Sequence, residues 1–277
     1  MAIPILKFWQ KYFNDSDEGL GSTYERFIIN EVLFKAVFHY RIKSVLETPS
    51  FGFTGLSGIN SMGLALSGID VTITDSDKTR LNLIKQTWEN FNVKALFDNV
   101  NNYNKLPYDN KSFDMSWNFS ALWFVPDLHL FLNELSRVTK KIILIIVPNR
   151  SGLGYLHQKY TGHDDLKKIL NEENIKPKNF IPILESNGWK LMHDALIDCP
   201  LWPDIGMSKE ELLNLYFSPF IKTIKKNKNP ITILDYYSDK DKNIKDKVMK
   251  FDYFERYAPE IFKRIWAHHH YYLFLNR

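Results

Sequence analysis

The sequence predicts an α/β protein in which a mostly parallel, seven-stranded sheet carries helices on both faces. Between Lys43 and Asn149, short runs rich in β-branched residues alternate with segments of helical periodicity, a pattern typical of parallel strands covered by helices. Two further strand-like runs follow, Trp189–Ile197 and His268–Leu275. A chain of 277 residues, 44% of them hydrophobic, is also long enough to bury one core of this size.

The individual elements follow from local signals. Asp77 precedes a predicted helix over Lys78–Phe91, and Asp127 opens one that runs to about Val138, because aspartate caps helix N-termini. Ser22 starts a capping-box sequence, so we expect the N-terminal helix to begin there and to pack on the sheet. The first five strands are predicted at Ser44–Thr48, Asp70–Asp75, Lys94–Phe97, Phe113–Asn118 and Lys141–Val147.

The second half of the chain is less regular. Asn179–Asn187 is predicted as a short helix with Pro182 in its first turn, where proline is tolerated. About seventy residues then separate the last two strands, too many for a simple loop. We expect two or three short helices there, with a capping box at Ser208 and helix breaks at Pro219 and Pro259. The expected organisation is an N-terminal helical segment (1–42), a sheet domain (43–200), a helical insertion (201–265) and the last strand (266–277).

Composition limits the possible settings. The longest aliphatic run, Ile142–Val147, is far shorter than the roughly 20 residues of a membrane-spanning helix, and the N-terminus has no secretory signal pattern. With Cys199 as the only cysteine, we expect no internal disulfide and a cytoplasmic setting. The net charge is +4, with lysines concentrated in 222–228 and 240–250. We interpret these lysines as a solvated surface, with anionic lipid or nucleic acid as the alternative partner.

The segment between Val45 and Asp75 is the most informative about function. Its first strand ends in Glu47, a loop containing Gly52, Gly55 and Gly58 leads into a helix, and the next strand ends in Asp75. Loop glycines permit close approach of the backbone to a ligand. An acidic residue about twenty positions later can accept hydrogen bonds from ribose hydroxyls. The spacing therefore predicts a nucleotide-type cofactor at these strand ends.

The stretch from Leu106 to Val138 narrows the class. Leu106-Pro107-Tyr108 is followed by Phe113-Asp114, by a strand ending at Asn118, and by a helix closing with Arg137-Val138. In order and spacing, about Ser44 to Asn149 resembles the small-molecule, type 11-like branch of the class I (Rossmann-like) methyltransferases. That resemblance implies S-adenosylmethionine as cofactor and methyl transfer by in-line displacement.

The resemblance also implies particular cofactor contacts. Glu47 would organise the loop or hold the methionine amino group, and Asp75 would accept from the ribose hydroxyls. Asn102 would receive the adenine amino group in place of the usual aspartate, and Pro49 stands where the family normally has glycine. The full implied set is Glu47, Gly52, Gly55, Ser57, Gly58, Asp75, Ser76, Asn102 and Asn118.

Residues for the acceptor and for proton transfer are less sharply indicated. A density of aromatic side chains suggests an apolar acceptor pocket, with core packing as the alternative. A general base is needed only if the acceptor must lose a proton. No metal is expected at His268–His270, because neighbouring strand residues point to opposite faces. The pocket candidates are Trp123, Tyr155, Trp202, Tyr216 and Phe217, and the base candidates, for which packing is the alternative, are Tyr24, His157, Tyr160 and His163.

Three functions remain open on the sequence. The first is an S-adenosylmethionine-dependent methyltransferase acting on a small or lipid-like, apolar or aromatic acceptor, with peripheral membrane contact possible. The second is a tRNA or protein methyltransferase, suggested by the lysines between Lys222 and Lys250. The third is a methyltransferase-like protein that has lost catalysis and serves as a binding or scaffold subunit, suggested by Pro49 and Asn102.

Overall fold

The computed structural model describes residues 9–14, 18–52, 55–161, 169–202 and 231–277. Seven strands form one sheet: β1 (Ser44–Glu47), β2 (Asp70–Asp75), β3 (Leu96–Asn99), β4 (Phe113–Phe119), β5 (Thr139–Pro148), β6 (Trp189–Ile197) and β7 (His269–Asn276). Their order across the sheet is β3-β2-β1-β4-β5-β7-β6. β7 runs antiparallel to both of its neighbours, and the remaining pairs are parallel. The predicted mostly parallel, seven-stranded sheet is confirmed.

Helices lie on both faces of this sheet. The side chains of β5 show that both faces are covered, because successive strand residues point to opposite faces. Ile142, Leu144 and Ile146 belong to one apolar core, whereas Ile143 and Ile145 belong to another. The helices are α1 (Gly19–Tyr40), α2 (Met62–Leu66), α3 (Lys78–Asn90), α4 (Leu128–Val138), α5 (Leu153–Thr161), α6 (Pro177–Ser186), α7 (Ile233–Tyr237), α8 (Ile244–Met249), α9 (Tyr253–Tyr257) and α10 (Glu260–Trp266).

The two aspartate caps are confirmed, but the N-terminal capping box is wrong. The Asp77 carboxylate accepts from the backbone of Thr79 and Arg80 at 2.8 and 3.0 Å, and Asp127 caps α4. The N-terminal helix begins at Gly19 rather than at Ser22. Its first amides donate to the carbonyl of Ile231, so a contact distant in sequence takes the place of the local cap.

Some element boundaries also differ from the prediction. β3 begins at Leu96 rather than Lys94. The Val93 amide still donates to the Trp88 carbonyl at the end of α3. β5 begins at Thr139, two residues early. Pro177 occupies the first turn of α6, so Pro182 lies inside the helix and not in its first turn. Pro182 is exposed, and solvent can therefore reach the backbone group that the proline leaves without a partner.

The predicted insertion (201–265) is described at 201–202 and from 231 onward. This described part contains four short helices, α7 to α10, the last of which ends at Trp266, where two or three were expected in the whole insertion. Pro259 precedes α10 directly, as predicted. Ser208 and Pro219 lie outside the described residues, and the proposed domain limits remain a prediction. No helix in the described ranges is both long and apolar enough to cross a lipid bilayer.

Candidate functional site

The carboxyl ends of β1, β2 and β4 meet at one edge of the sheet. The loop after β1 bridges its two neighbours, because the Thr48 amide donates to Trp117 O at 2.9 Å and the Ser50 amide to Thr74 O at 3.0 Å. Ligands bind at this edge in open α/β sheets. Glu47, Asp75 and Asn118, the final or penultimate residues of these strands, are therefore gathered as the sequence predicts.

Glu47 holds the start of the following helix. Its side chain is 1% exposed, and its Oε2 accepts from the Ser61 amide at 3.2 Å and from Ser61 Oγ at 2.6 Å. Trp117 Nε1 donates to the same hydroxyl at 3.0 Å. Burial raises the pKa of Glu47 to about 7, against the opposing influence of the Ser61 hydrogen bonds and the charge of Arg26. Glu47 therefore titrates near neutrality.

Helix α1 fixes the rest of the loop through a buried arginine. Arg26 is 1% exposed, and its Nε donates to both carboxylate oxygens of Glu18 at 2.9 and 3.0 Å. It also donates to Asn60 Oδ1 at 2.5 Å and Leu56 O at 2.6 Å. Arg26 was not among the residues predicted from sequence; the available signal was the charged pair Glu25-Arg26 directly before the apolar run Phe27–Ile29.

The three loop glycines make room for protein atoms. A Cβ on Gly52 would lie 2.1 Å from the carbonyl oxygen of Phe119, and one on Gly55 would lie 3.0 Å from a Glu18 carboxylate oxygen. Gly58 has a φ of +70° and faces Ile84, 2.7 Å from where a Cβ would stand. All three glycines therefore allow close packing within the protein, and their contact with a cofactor stays a prediction.

Asp75 is fully engaged by its own protein. Its side chain is completely buried. Oδ2 accepts from Arg80 Nε at 2.7 Å and Ser50 Oγ at 3.2 Å, and Oδ1 accepts from Arg80 Nη2 at 2.5 Å and the Asp77 amide at 2.8 Å. These four bonds use the four acceptor positions of a carboxylate. The Arg80 guanidinium is in turn covered by the ring of Phe51, 3.8 Å away.

Asn118 presents the opposite situation. It is completely buried, yet neither its side-chain oxygen nor its nitrogen has a hydrogen-bond partner in the described part of the chain. The hydroxyls of Ser57 and Ser120 are likewise buried and without partners there. Ser120 also has a φ of +46°, and such backbone strain clusters at functional sites. Polar groups of this kind indicate a ligand that would pair with them.

The two residues proposed for the adenine end are more exposed. Ser76 and Asn102 both lie at the surface. The side-chain oxygen of Asn102 accepts from the Asn104 amide at 2.9 Å. The carbonyl that was expected to receive the adenine amino group therefore already closes a local turn.

The predicted acceptor residues within the described part of the chain lie on both faces of the sheet. Trp123 is buried and donates from Nε1 to Ser120 O at 2.7 Å, and Tyr155 packs against the same apolar core. Trp202 belongs to the core on the other face, where its ring lies 5.8 Å from that of Tyr24. Tyr216 and Phe217 lie outside the described residues. Two aromatic residues of the loops that follow β1 and β4, Phe51 and Phe124, have ring centres 5.2 Å apart.

The base candidates are dispersed as well. Tyr24 is completely buried, and burial together with nearby acidic groups raises its pKa far above the ordinary value, which disfavours a phenolate. Tyr160 is 81% exposed, and His157 is half-buried on α5. His163 lies outside the described residues. Of the three described candidates, Tyr24 lies on α1, whereas His157 and Tyr160 both lie on α5.

A second polar cluster lies at the start of β7. His268 Nδ1 is 2.9 Å, and His269 Nδ1 3.3 Å, from the same oxygen of Asp198. Glu25 Oε2 is 3.9 Å from His269 Nδ1. We expected neighbouring histidines to point apart, but His268 precedes the first strand residue and so escapes the alternation. Only His270 points away, to Asp194 at 2.7 Å.

Residues 53–146, about a third of the chain, match the Methyltransf_11 family, described as a methyltransferase domain. This segment is a methyltransferase domain. It spans β2 to β5 with most of the loop after β1, and it includes Asp75 and Asn118. No curated protein matches the sequence.

Solved structures share the fold at low sequence identity. A magnesium protoporphyrin IX methyltransferase from Synechocystis PCC 6803, solved with bound SAH, is 9% identical with a TM-score of 0.52, covering 92% of this chain and 84% of that one. The YcgJ protein of Bacillus subtilis is 10% identical with a TM-score of 0.50, covering 90% and 99%. The StiE O-MT, residues 961–1257, is 11% identical with a TM-score of 0.50, covering 90% and 73%. The chain therefore has the class I methyltransferase fold, and residues 53–146 are similar to the type 11 methyltransferase domain.

Proposed function

We propose that the protein transfers a methyl group from S-adenosylmethionine to a small or lipid-like acceptor of apolar or aromatic character. One observation carries the proposal. Asn118 and Ser120 at the carboxyl end of β4, and Ser57 in the loop after β1, have buried side-chain polar atoms without partners in the described residues. A bound cofactor with amino, carboxylate and hydroxyl groups would satisfy them.

The two ends of the proposed cofactor site fit differently. At the methionine end, Glu47, Ser57 and Asn118 would hold the ligand without displacing any hydrogen bond of Asn118 or of the Ser57 hydroxyl. At the ribose end, the hydroxyls would reach Asp75 only after Arg80 has left it. The exchange keeps the number of hydrogen bonds, since two hydroxyl donors would replace two guanidinium donors, but it removes the positive charge beside Asp75.

The chain's own contribution is to orient the reactants and exclude water. When bound, the cofactor supplies an electrophilic methyl group on a sulfonium. The rings of Phe51, Phe124 and Trp123 pack against one another in the loops that follow β1 and β4. Alignment of reactants in a dry site contributes at most roughly 7 to 11 kcal/mol. A cation placed beside Glu47 favours its ionised form. Because the pKa of Glu47 is raised to about 7, cofactor binding at neutral pH is expected to release a proton.

An apolar acceptor is supported better than a nucleic acid. Phe51 and Phe124 lie at the cofactor edge and are only half-buried. Lys240, Lys242 and Lys247 each lie within 3.1 Å of an aspartate oxygen. Basic side chains that are already paired provide little of the counterion release that drives nucleic-acid binding.

The direct test is calorimetric titration of S-adenosylhomocysteine into the purified protein, with NADH as the control ligand. Micromolar binding of the first and none of the second supports the proposal. Repeating the titration in buffers of different protonation enthalpy reports the proton release expected from Glu47. Absence of S-adenosylhomocysteine binding, in the wild type and in Arg80→Met, would contradict the proposal.

The closed Asp75 favours a second candidate, a methyltransferase-like binding or scaffold protein without catalysis. Arg80 already occupies the carboxylate that the family uses for ribose. The Arg80→Met titration separates the two candidates. If removal of the guanidinium restores binding, Arg80 obstructs a functional site, and if neither protein binds the cofactor product, the scaffold becomes the better account.

A further inference from the structure

We propose that Glu25, Asp198 and His269 bind a divalent transition-metal ion. One ligand atom from each residue lies within 4.8 Å of the other two. His269 Nδ1 is 3.3 Å from Asp198 Oδ2 and 3.9 Å from Glu25 Oε2. Ligands that each lie about 2.1 Å from a common ion are separated by roughly 3 to 4 Å. The spacing therefore needs little adjustment to accept an ion.

The three ligands come from elements that the core holds in place. Glu25 lies on α1, Asp198 directly follows β6, and His269 is the first residue of β7. The Asp198 carbonyl accepts from the His268 amide at 2.9 Å, which ties the two chain segments together. Asp198 has a φ of +61°, a conformation that costs energy for a residue other than glycine. The arrangement is consequently fixed before any ion binds.

A separate observation indicates a positively charged ligand. The Asp198 side chain is 2% exposed, and its Oδ1 has no hydrogen-bond partner among the described residues. His269 Nδ1 and the completely buried hydroxyl of Tyr24 also have no hydrogen-bond partner there. Buried charges normally pair with a counter-charge or coordinate a metal. A cation bound at Asp198 would satisfy this requirement.

The donor set selects the class of ion. Mg²⁺ and Ca²⁺ prefer oxygen ligands alone, whereas imidazole together with carboxylate suits the series from Mn²⁺ to Zn²⁺. His268 Nδ1 contacts Asp198 Oδ2 at 2.9 Å and would orient that carboxylate, as outer partners of metal ligands do. The donor set therefore favours a transition-metal ion over Mg²⁺ or Ca²⁺.

The ion would lie on the face of β4 that carries Phe119. The His269 ring lies 4.6 Å from that of Phe119, and successive strand residues point to opposite faces, so Asn118 points to the other side. Binding of the ion therefore does not depend on the proposed function.

The test is titration of Zn²⁺, Mn²⁺ and Mg²⁺ into the metal-free, full-length protein without cofactor. We expect one site that prefers Zn²⁺ or Mn²⁺ to Mg²⁺. His269→Gln and Glu25→Gln should each weaken binding by at least about 100-fold, the upper range for loss of even an outer-shell partner. The matched control is His270→Gln, which removes the adjacent histidine that pairs with Asp194 instead and should leave affinity unchanged.

Several results would overturn the proposal. The first is that none of the three ions binds at millimolar concentration. The second is that His269→Gln retains wild-type affinity, and the third is that His270→Gln loses as much affinity as His269→Gln. X-ray absorption on the wild-type zinc complex tests the ligand set without relying on variants that could misfold. It should show nitrogen and oxygen ligands, and a sulfur ligand from the neighbouring Cys199 would contradict the assignment. None of these measurements uses the methyl donor, so failure here is distinguishable from failure of the proposed function.

Discussion

The two ends of the cofactor edge differ in how their polar groups are satisfied. At Asp75, four donors from the protein occupy the carboxylate. At Asn118, no described residue pairs with either amide atom. Arg80 thus occupies the Asp75 end, whereas a ligand could pair with the amide at the Asn118 end. Mutations should therefore act in opposite directions: loss of Arg80 destabilises the protein but exposes the site, whereas loss of the Asn118 amide stabilises the protein but weakens binding.

The largest effect is expected from Arg80→Met. It removes the guanidinium but keeps an apolar side chain, leaving Asp75 buried without its counter-charge. The free energy of unfolding should fall by roughly 3 to 5 kcal/mol, measured by urea denaturation. Affinity for S-adenosylhomocysteine should rise about tenfold, because nothing has to leave Asp75. Lys85→Met, an exposed change on the same helix, is the control, and equal affinity in Arg80→Met and wild type would refute obstruction by Arg80.

Glu47→Gln tests the pH dependence at the methionine end. The folded pKa of about 7 exceeds the ordinary value of 4.5, so the stabilisation from protonated Glu47 is complete below about 4.5 and is lost as pH rises through 7. Glutamine does not titrate. The stability of the variant relative to wild type should therefore increase by roughly 3 kcal/mol between pH 4.5 and 8.

Glu134→Gln should change stability with pH in the opposite direction and is the comparison for Glu47→Gln. Its hydrogen bond to Arg137 lowers the pKa of Glu134, so the stabilisation is present above the ordinary pKa and is lost as the pH falls. The stability of this variant relative to wild type should decrease as pH rises. A flat difference for Glu47→Gln across the range would show that Glu47 is not protonated at neutral pH.

Asn118→Leu addresses the unpaired amide directly. An apolar side chain of similar size removes a buried group without partners, so unfolding free energy should increase by about 1 to 3 kcal/mol. Thermal denaturation should show the gain, and calorimetry should show weaker S-adenosylhomocysteine binding. Asn30→Leu is the matched control, because Asn30 donates to Tyr237 at 2.6 Å and its loss should destabilise. Lower stability of Asn118→Leu would mean that Asn118 has a structural partner.

The smallest effect is expected from Phe51→Leu. The ring that covers Arg80 is lost while apolar bulk remains, and a contact between a cation and an aromatic ring contributes about 1 kcal/mol. Stability should fall by that amount, and cofactor-product affinity should rise slightly as Arg80 becomes easier to displace. Phe38→Leu, at an exposed ring on α1, gives the baseline for both assays. A decrease in affinity would assign Phe51 to ligand contact rather than to closure of Asp75.

Prediction from sequence succeeded where the signal is local and periodic. β6 has the predicted limits, and the Asp77 and Asp127 caps function as expected, because each depends on residues within one turn or one strand. It failed at Ser22, where the amides that start α1 bind Ile231. A hydrogen-bond partner more than two hundred positions away cannot be predicted from the local sequence pattern.

The site divides in the same way. The order of strands and polar residues was sufficient to place Glu47, Asp75 and Asn118 at one edge, since parallel strands end together. It did not reveal the roles of Gly55 and Gly58, because what a glycine faces depends on packing by α1 and α3. The acceptor prediction likewise mixed Trp123 and Trp202, which face opposite sides of the sheet.

By itself, the sequence determined the α/β class, the mostly parallel sheet, the methyltransferase motif order and the edge at which a cofactor is expected, since all of these follow from periodicity and spacing along the chain. Only the tertiary structure decided that Arg80 occupies Asp75, that Asn118 is left without a partner in the described residues, and that His268 and His269 converge on Asp198. The physical reason is that hydrogen bonding and burial depend on distances in space, and side chains distant in sequence become neighbours only when the core closes.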